Sequence, residues 1–202
     1  MKLKVCGMKY NISEVAALQP DYLGFIFHEN SPRHFEDVIP QLPNSIKKIG
    51  VFVDEKVEFI VQQIEKHKLD LVQLHGHESP DMCKLLQSAN VKVIKVFSIK
   101  DSFDFNVLNA YEEVCDYYLF DTKGKLPGGN GYAFDWSVLN NYPSTKPFFL
   151  SGGIGLDQID KIKDFKASTV ANHCYALDVN SKFEIEPGLK KIDELELFKN
   201  EL

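Results

Sequence analysis

Eight short runs of apolar, largely β-branched and aromatic residues punctuate the chain at intervals of about 20 to 30 residues: Leu3–Val5, Tyr22–Phe27, Ile49–Val53, Leu69–Leu74, Val91–Phe97, Tyr117–Phe120, Phe148–Leu150 and Cys174–Val179. Each run is nearly continuous rather than alternating. That pattern belongs to strands buried on both faces, as in a parallel sheet. Segments of helical period lie between them. Val57–His67 carries apolar residues at 57, 60, 61 and 64, and Ser79–Ser88 opens with a Ser-Pro-Asp start signal. Asp104–Val114, Asp135–Tyr142, Leu156–Phe165 and Ile192–Leu202 read similarly, and Asn11–Leu18 and Phe35–Leu42 are shorter helical expectations. Alternating strands and helices fit either an open doubly wound sheet or a closed barrel. Eight units, with no G-x-G-x-x-G turn after the first strand, favour an α/β fold consisting of a single (β/α)₈ (TIM) barrel over residues 1–202.

A barrel of this kind places its chemistry where strands run into the loops that follow them. Cys6, followed by Gly7, ends the first strand, and a thiolate there is a candidate base or nucleophile. Asp121 ends the sixth strand, across the ring from Cys6, which suits an acid and a base flanking one substrate. The loop after it, Lys123–Phe134, holds Gly124, Gly128, Gly129 and Gly131 and reads as a lid. Gly152 and Gly153 follow the seventh strand; Asp178, Asn180 and Ser181 follow or end the eighth. Barrels commonly bind phosphate between these two loops. Arg33, in Ser31-Pro32-Arg33-His34, is the only arginine among 23 basic residues. That isolation marks it for planar two-point binding of a carboxylate. His75-Gly76-His77-Glu78 offers only two histidine ligands at close spacing, too few for zinc, so no metal is expected and His75 is expected to line the mouth. Cys83, Cys115 and Cys174 read as packing, and Trp136 as an anchor for the segment after the lid.

Composition narrows the partners. A net charge of -6 with no basic tract argues against nucleic acid or an anionic membrane surface. No apolar run approaches the roughly 20 residues of a membrane span. The opening MKLKVCGMKY lacks the apolar region of a secretory signal, and four scattered cysteines suit free thiols, so a cytoplasmic protein is expected. Three classes stay open on the residues alone: a metal-free isomerase, another phosphosugar enzyme working through a metal or a lysine Schiff base, and a phosphate-ligand binder. The second needs a mouth lysine, for which only Lys123 and Lys125 are placed.

The strings KVCGMK, FIFHENSPRHF, IGVFV, LVQLHG, FDTK, GGNGYAFDW, LSGGI and LDVNS, in this order and spacing, resemble phosphoribosylanthranilate isomerases from Lys4 to about Glu184. The resemblance implies a (β/α)₈ enzyme of tryptophan biosynthesis. Its reaction is the Amadori rearrangement of N-(5-phosphoribosyl)anthranilate, an aminoaldose, to 1-(2-carboxyphenylamino)-1-deoxyribulose 5-phosphate, an aminoketose. It implies Asp121 as general acid on the ring oxygen, Cys6 as general base at C2, and Arg33 on the anthranilate carboxylate. His75, Gly152, Gly153, Asp178, Asn180 and Ser181, by their place at the mouth, are expected as further substrate contacts, with no cofactor, in a monomer or homodimer. The chain departs from the usual pattern at Lys182, where glycine is common, and at Tyr132-Ala133, where Lys-Thr is common.

Overall fold

The computed structural model describes residues 1–122 and 134–202; the expected lid glycines and Tyr132-Ala133 lie outside the described residues. Eight parallel strands close into a barrel in sequence order: β1 (Lys2–Val5), β2 (Tyr22–Ile26), β3 (Lys47–Phe52), β4 (Leu71–Leu74), β5 (Lys92–Ile99), β6 (Tyr117–Thr122), β7 (Phe148–Leu150) and β8 (Cys174–Val179), with β8 pairing back onto β1. Outside them lie α1 (Ile12–Ala17), α2 (Val57–His67), α3 (Pro80–Gln87), α4 (Ile159–Lys166) and α5 (Ile192–Asn200). The segments after β5 and β6 coil more tightly, as 3₁₀ turns over Phe105–Tyr111 and Trp136–Asn141.

Side chains alternate between two cores. The outward set packs against the helices, while the inward set, including Ile49, Val51, Leu71, Ile94, Leu119 and Ala176, fills the barrel. Near the strand starts the filling is aromatic: the ring of Tyr117 lies 4.9 Å from that of Tyr175 and 5.4 Å from that of Phe149. Register is pinned at the same end by a repeated device. Asp21, Asp70 and Asp116 each stand one residue before an even-numbered strand and accept the N–H of Leu3, Lys48 and Val93, respectively, on a neighbouring strand, at 2.8–2.9 Å. At α3, the Ser79 hydroxyl caps the helix by accepting the Met82 N–H, with Pro80 at the first helical position.

Phe35–Leu42 does not form the expected helix. Its apolar residues have helical spacing, but Ile39 and Leu42 each precede a proline, which excludes the helical backbone there. The segment is instead irregular, with Phe35 and Ile39 buried and Val38 exposed. Phe35 packs edge-on against Phe25 at 5.0 Å, so the segment covers the outer face of β2 as a plug. A short hairpin, β9 (Glu184–Glu186) and β10 (Leu189–Lys190), follows β8, turning at Gly188 with φ +91°.

His67 closes α2 with its ring 5.2 Å from Phe27 and 6.2 Å from Phe35, and neither ring nitrogen has a hydrogen-bond partner. Burial, helped by Lys66 and Lys48, holds its pKa below the ordinary histidine value of 6.5. The folded state therefore prefers the neutral ring, and stability is lost as pH falls from about 6.5 through the lowered folded value. We expect His67→Phe to raise the urea midpoint by the equivalent of about 1 kcal/mol at neutral pH. It should also flatten the decline between pH 7 and 5, measured by denaturation at each pH. A variant with an unchanged slope would remove His67 as the source.

Candidate active site

At the C-terminal mouth of the barrel lies a cleft of about 830 Å³ counted to its open rim. Cys6, Arg33, His75, Asp121, Gly152, Gly153, Asp178, Asn180 and Ser181 all line it. The structure therefore brings together every residue singled out from the sequence as a catalytic or substrate-binding candidate.

Strand alternation positions the floor. Lys4 on β1 and Cys6 just past its end, Gln73 on β4 and His75 just past its end, Asp121 on β6 and Asp178 on β8 project inward above the apolar filling. Lys4 is fully buried, and its ammonium donates to Gln73 Oε1 at 2.6 Å and to Asp178 Oδ2 at 2.9 Å, with the Cys6 side chain beside it over Gly24. Burial pulls the Lys4 ammonium down, but Asp178 and Cys6 more than reverse this and hold its pKa above that of a free lysine. Burial pushes the Asp178 carboxyl up against the pull of Lys4; the 2.9 Å contact is that of a charged pair, and we treat both groups as ionised. The Cys6 thiol is pushed up by burial, with Lys4 as the main opposing influence. The resting group is thus a thiol beside a fixed cation. Gly24 on β2 makes room for this arrangement, since a Cβ there would stand 2.9 Å from Cys6 Sγ and 3.2 Å from Lys4 Cε.

Asp121 is buried, its Oδ1 accepting the Thr122 N–H at 2.8 Å and its Oδ2 facing His75 Nε2 at 3.4 Å. The Thr122 hydroxyl accepts the Phe134 N–H at 3.1 Å and stands where a Cβ on Gly152 would fall. Gly152, with φ +91°, is therefore required by both conformation and space. The loops after the neighbouring strands β7 and β8 lie side by side at the cleft, and Lys182 adds a cation at their rim, 3.4 Å from Asp157.

Arg33 is already engaged. Its Nε and Nη2 hydrogen-bond Glu184 at 2.6–3.0 Å, and Lys190 Nζ reaches the same carboxylate at 2.7 Å. Burial alone would raise the Glu184 pKa; Arg33 and Lys190 overcome it and hold the group below the usual carboxylate range. One carboxylate between two cations leaves a local charge of +1. The side-on fork of Arg33 is occupied, so Nη1 and the second Nη2 hydrogen remain for a ligand.

Four contributors were missed in the sequence: Lys4, Gln73, Glu184 and Lys190. The expectation that only Lys123 and Lys125 could serve as mouth lysines is also corrected, because Lys182 lines the cleft and Lys4 lies directly beneath it. The residues of His75-Gly76-His77-Glu78 diverge. His75 turns to Gln73 and Asp121, His77 turns to Asp54 at the surface, and Glu78 pairs with Lys95. The described residues contain no group of three or more potential metal ligands. Cys83, Cys115 and Cys174 are buried free thiols, and buried Trp136 packs edge-on against Phe165 at 5.7 Å.

The model of the family described as N-(5'-phosphoribosyl)anthranilate (PRA) isomerase matches residues 3–201. This chain belongs to that family. It is an isomerase of tryptophan biosynthesis with the family's barrel. The N-(5'-phosphoribosyl)anthranilate isomerase of Parabacteroides distasonis is 44% identical, over 98% of this chain and 91% of its own. The crystal structure of the Thermotoga maritima enzyme is 29% identical with a TM-score of 0.85, covering 100% of this chain and 98% of that one. A further solved isomerase of the family, 26% identical with a TM-score of 0.78, is in complex with reduced 1-(o-carboxyphenylamino)-1-deoxyribulose 5-phosphate; the match covers 98% of this chain and 96% of that one. No helix among the described residues is long and apolar enough to cross a membrane.

Proposed function

We propose that this isomerase converts N-(5-phosphoribosyl)anthranilate to 1-(2-carboxyphenylamino)-1-deoxyribulose 5-phosphate by general acid–base catalysis, with Asp121 as acid and Cys6 as base. The observation that carries the reading is the meeting of Cys6, Asp121 and Arg33 at one cleft with the adjacent loops after β7 and β8. Asp121 protonates the furanose oxygen, so that the C1–O bond breaks and the nitrogen lone pair closes a Schiff base. Cys6, as thiolate, takes the C2 proton, and the electron pair moves into the iminium to give an enamine, whose enol form tautomerises to the aminoketose. The iminium nitrogen supplies the electron sink that a metal or an organic cofactor supplies elsewhere, and none is required.

Lys4 supports the base step, because a thiolate formed beside a fixed ammonium gains a neighbouring opposite charge. The open end of the Arg33 guanidinium takes the anthranilate carboxylate, its side-on fork being braced by Glu184. Gly152, Gly153, Asn180 and Ser181 receive the phosphate through backbone and polar side-chain donors. His75 and Asp178 contact the substrate near the acid and the base, respectively. The buried Asp178 Oδ1 has no hydrogen-bond partner and suits a sugar hydroxyl. The protein works as a monomer or a homodimer. Four free cysteines suit the reducing cytoplasm.

The test is genetic. The gene is expressed in a tryptophan auxotroph lacking only this isomerase, and growth without tryptophan is scored. Growth is expected. Absence of growth with soluble protein present would overturn the reading.

A further inference from the structure

The polar groups of the barrel floor form one connected line: Lys4 Nζ to Gln73 Oε1 at 2.6 Å, Gln73 Nε2 to His75 Nδ1 at 3.1 Å, and His75 Nε2 to Asp121 Oδ2 at 3.4 Å. Its direction follows from donor and acceptor inventory. An ammonium has hydrogens only, so the Gln73 atom it meets is the carbonyl oxygen. The other end of that amide is then the NH₂ group, which only donates. His75 Nδ1 facing it must be the acceptor, and a neutral imidazole with a bare Nδ1 carries its hydrogen on Nε2.

We propose that Gln73, its amide oriented by Lys4, is a positioning residue that fixes His75 as the Nε2–H tautomer directed at Asp121.

The inference rests on the assignment of Asp121 as the acid and deepens it in two ways. In the opposite tautomer, the bare Nε2 would face Asp121 and accept its proton in a hydrogen bond, competing with the substrate ring oxygen. With Nε2–H in place, that competitor is absent. Once Asp121 has given up its proton, the carboxylate keeps the Thr122 N–H on Oδ1 and has His75 Nε2–H 3.4 Å from Oδ2. A donor held this close to a developing charge needs only a small shift to meet it during the reaction. Lys4, a buried lysine in a strand body, thereby influences both ends of the site: it faces the Cys6 sulfur directly and reaches Asp121 through two intermediates.

The discriminating substitution is Gln73→Glu. A carboxylate at 73 still accepts from Lys4 and nearly conserves volume, but it offers His75 an acceptor where the amide offered a donor. His75 Nδ1 then takes a hydrogen. The experiment records long-range ¹H–¹⁵N spectra of ¹⁵N-histidine-labelled protein near neutral pH, with the His75 resonances identified by their loss in His75→Gln. The kcat and KM of wild type and Gln73→Glu are measured on the same preparations.

We expect the Nε2–H pattern in the wild type, protonated Nδ1 in Gln73→Glu, and a kcat lower by at least about tenfold with KM within about threefold, the range seen when an outer hydrogen-bond partner of a functional histidine is lost. A wild-type spectrum showing Nδ1–H overturns the proposal, and this result does not depend on the variant folding. So does a switched tautomer with undiminished kcat, or a lowered kcat with an unchanged imidazole spectrum. Asp121→Asn is assayed alongside. Retained turnover there would overturn the acid assignment, a result separable from the wild-type nitrogen spectrum, which reports the tautomer alone.

Discussion

Asp121→Asn is expected to lower kcat by about 10²–10⁴-fold, the range contributed by a positioned general acid, while binding of a reduced product analogue stays within a few-fold. The substitution is conservative in the space it fills. The new amide keeps an oxygen for the Thr122 N–H and preserves volume in a position that is 6% exposed. What it loses is the transferable proton. Without it the furanose oxygen departs as an alkoxide, and the Schiff base on which the later steps depend forms slowly. Steady-state kinetics with the labile aminoaldose generated in situ, together with analogue titration, separate the two effects. Turnover within about threefold of wild type would remove Asp121 from the acid role.

A comparable loss, again about 10²–10⁴-fold in kcat, is expected at Cys6, and here two substitutions are needed to read it. Cys6→Ala removes the sulfur and leaves a void beside a buried ammonium, so some stability goes with the activity. Cys6→Ser nearly fills the same space beside Lys4 yet presents a hydroxyl far too weak an acid to yield a base near neutral pH. Both variants should lose turnover, and only the alanine should lower the thermal midpoint noticeably. The wild-type pH profile carries the same information. Burial pushes the resting thiol above its ordinary range despite Lys4, and the base must be deprotonated to act. Hence kcat/KM should rise with pH through neutrality on the limb set by Cys6, since that ratio reports the free enzyme. A Cys6→Ser enzyme with near-normal turnover would assign the proton abstraction elsewhere.

The sequence made the barrel and most of its mouth legible because both depend on local signals: continuous apolar runs, helical spacing, and glycines or polar residues where strands end. What it hid depends on parity and on distant pairing. Lys4 stands two residues before Cys6, and Gln73 two before His75, so each shares the inward face of its strand with a residue already singled out. Reading the strands as uniformly buried runs concealed this, since a lone lysine or glutamine within one looks like an interruption rather than part of a floor. Counting by twos from the strand ends would have found both. Glu184 and Lys190 gave no such cue: their meeting with Arg33 depends on a hairpin turning at Gly188, about 150 residues away in sequence. Phe35–Leu42 failed for the opposite reason, because apolar spacing outweighed two prolines whose local veto is stronger.

The floor draws on β1, β4, β6 and β8, which has a consequence for how this gene can vary. Inserting or deleting a single residue within any of these strands would turn its polar group out into the helical layer and an apolar one into the site. Inserting two would keep the facing but lift the group by a full layer, about 6–7 Å along the strand. The loops beyond the strand ends carry no such constraint. Length variation in this chain should therefore be confined to loops, and within these four strands the reading frame of the barrel interior admits only substitution.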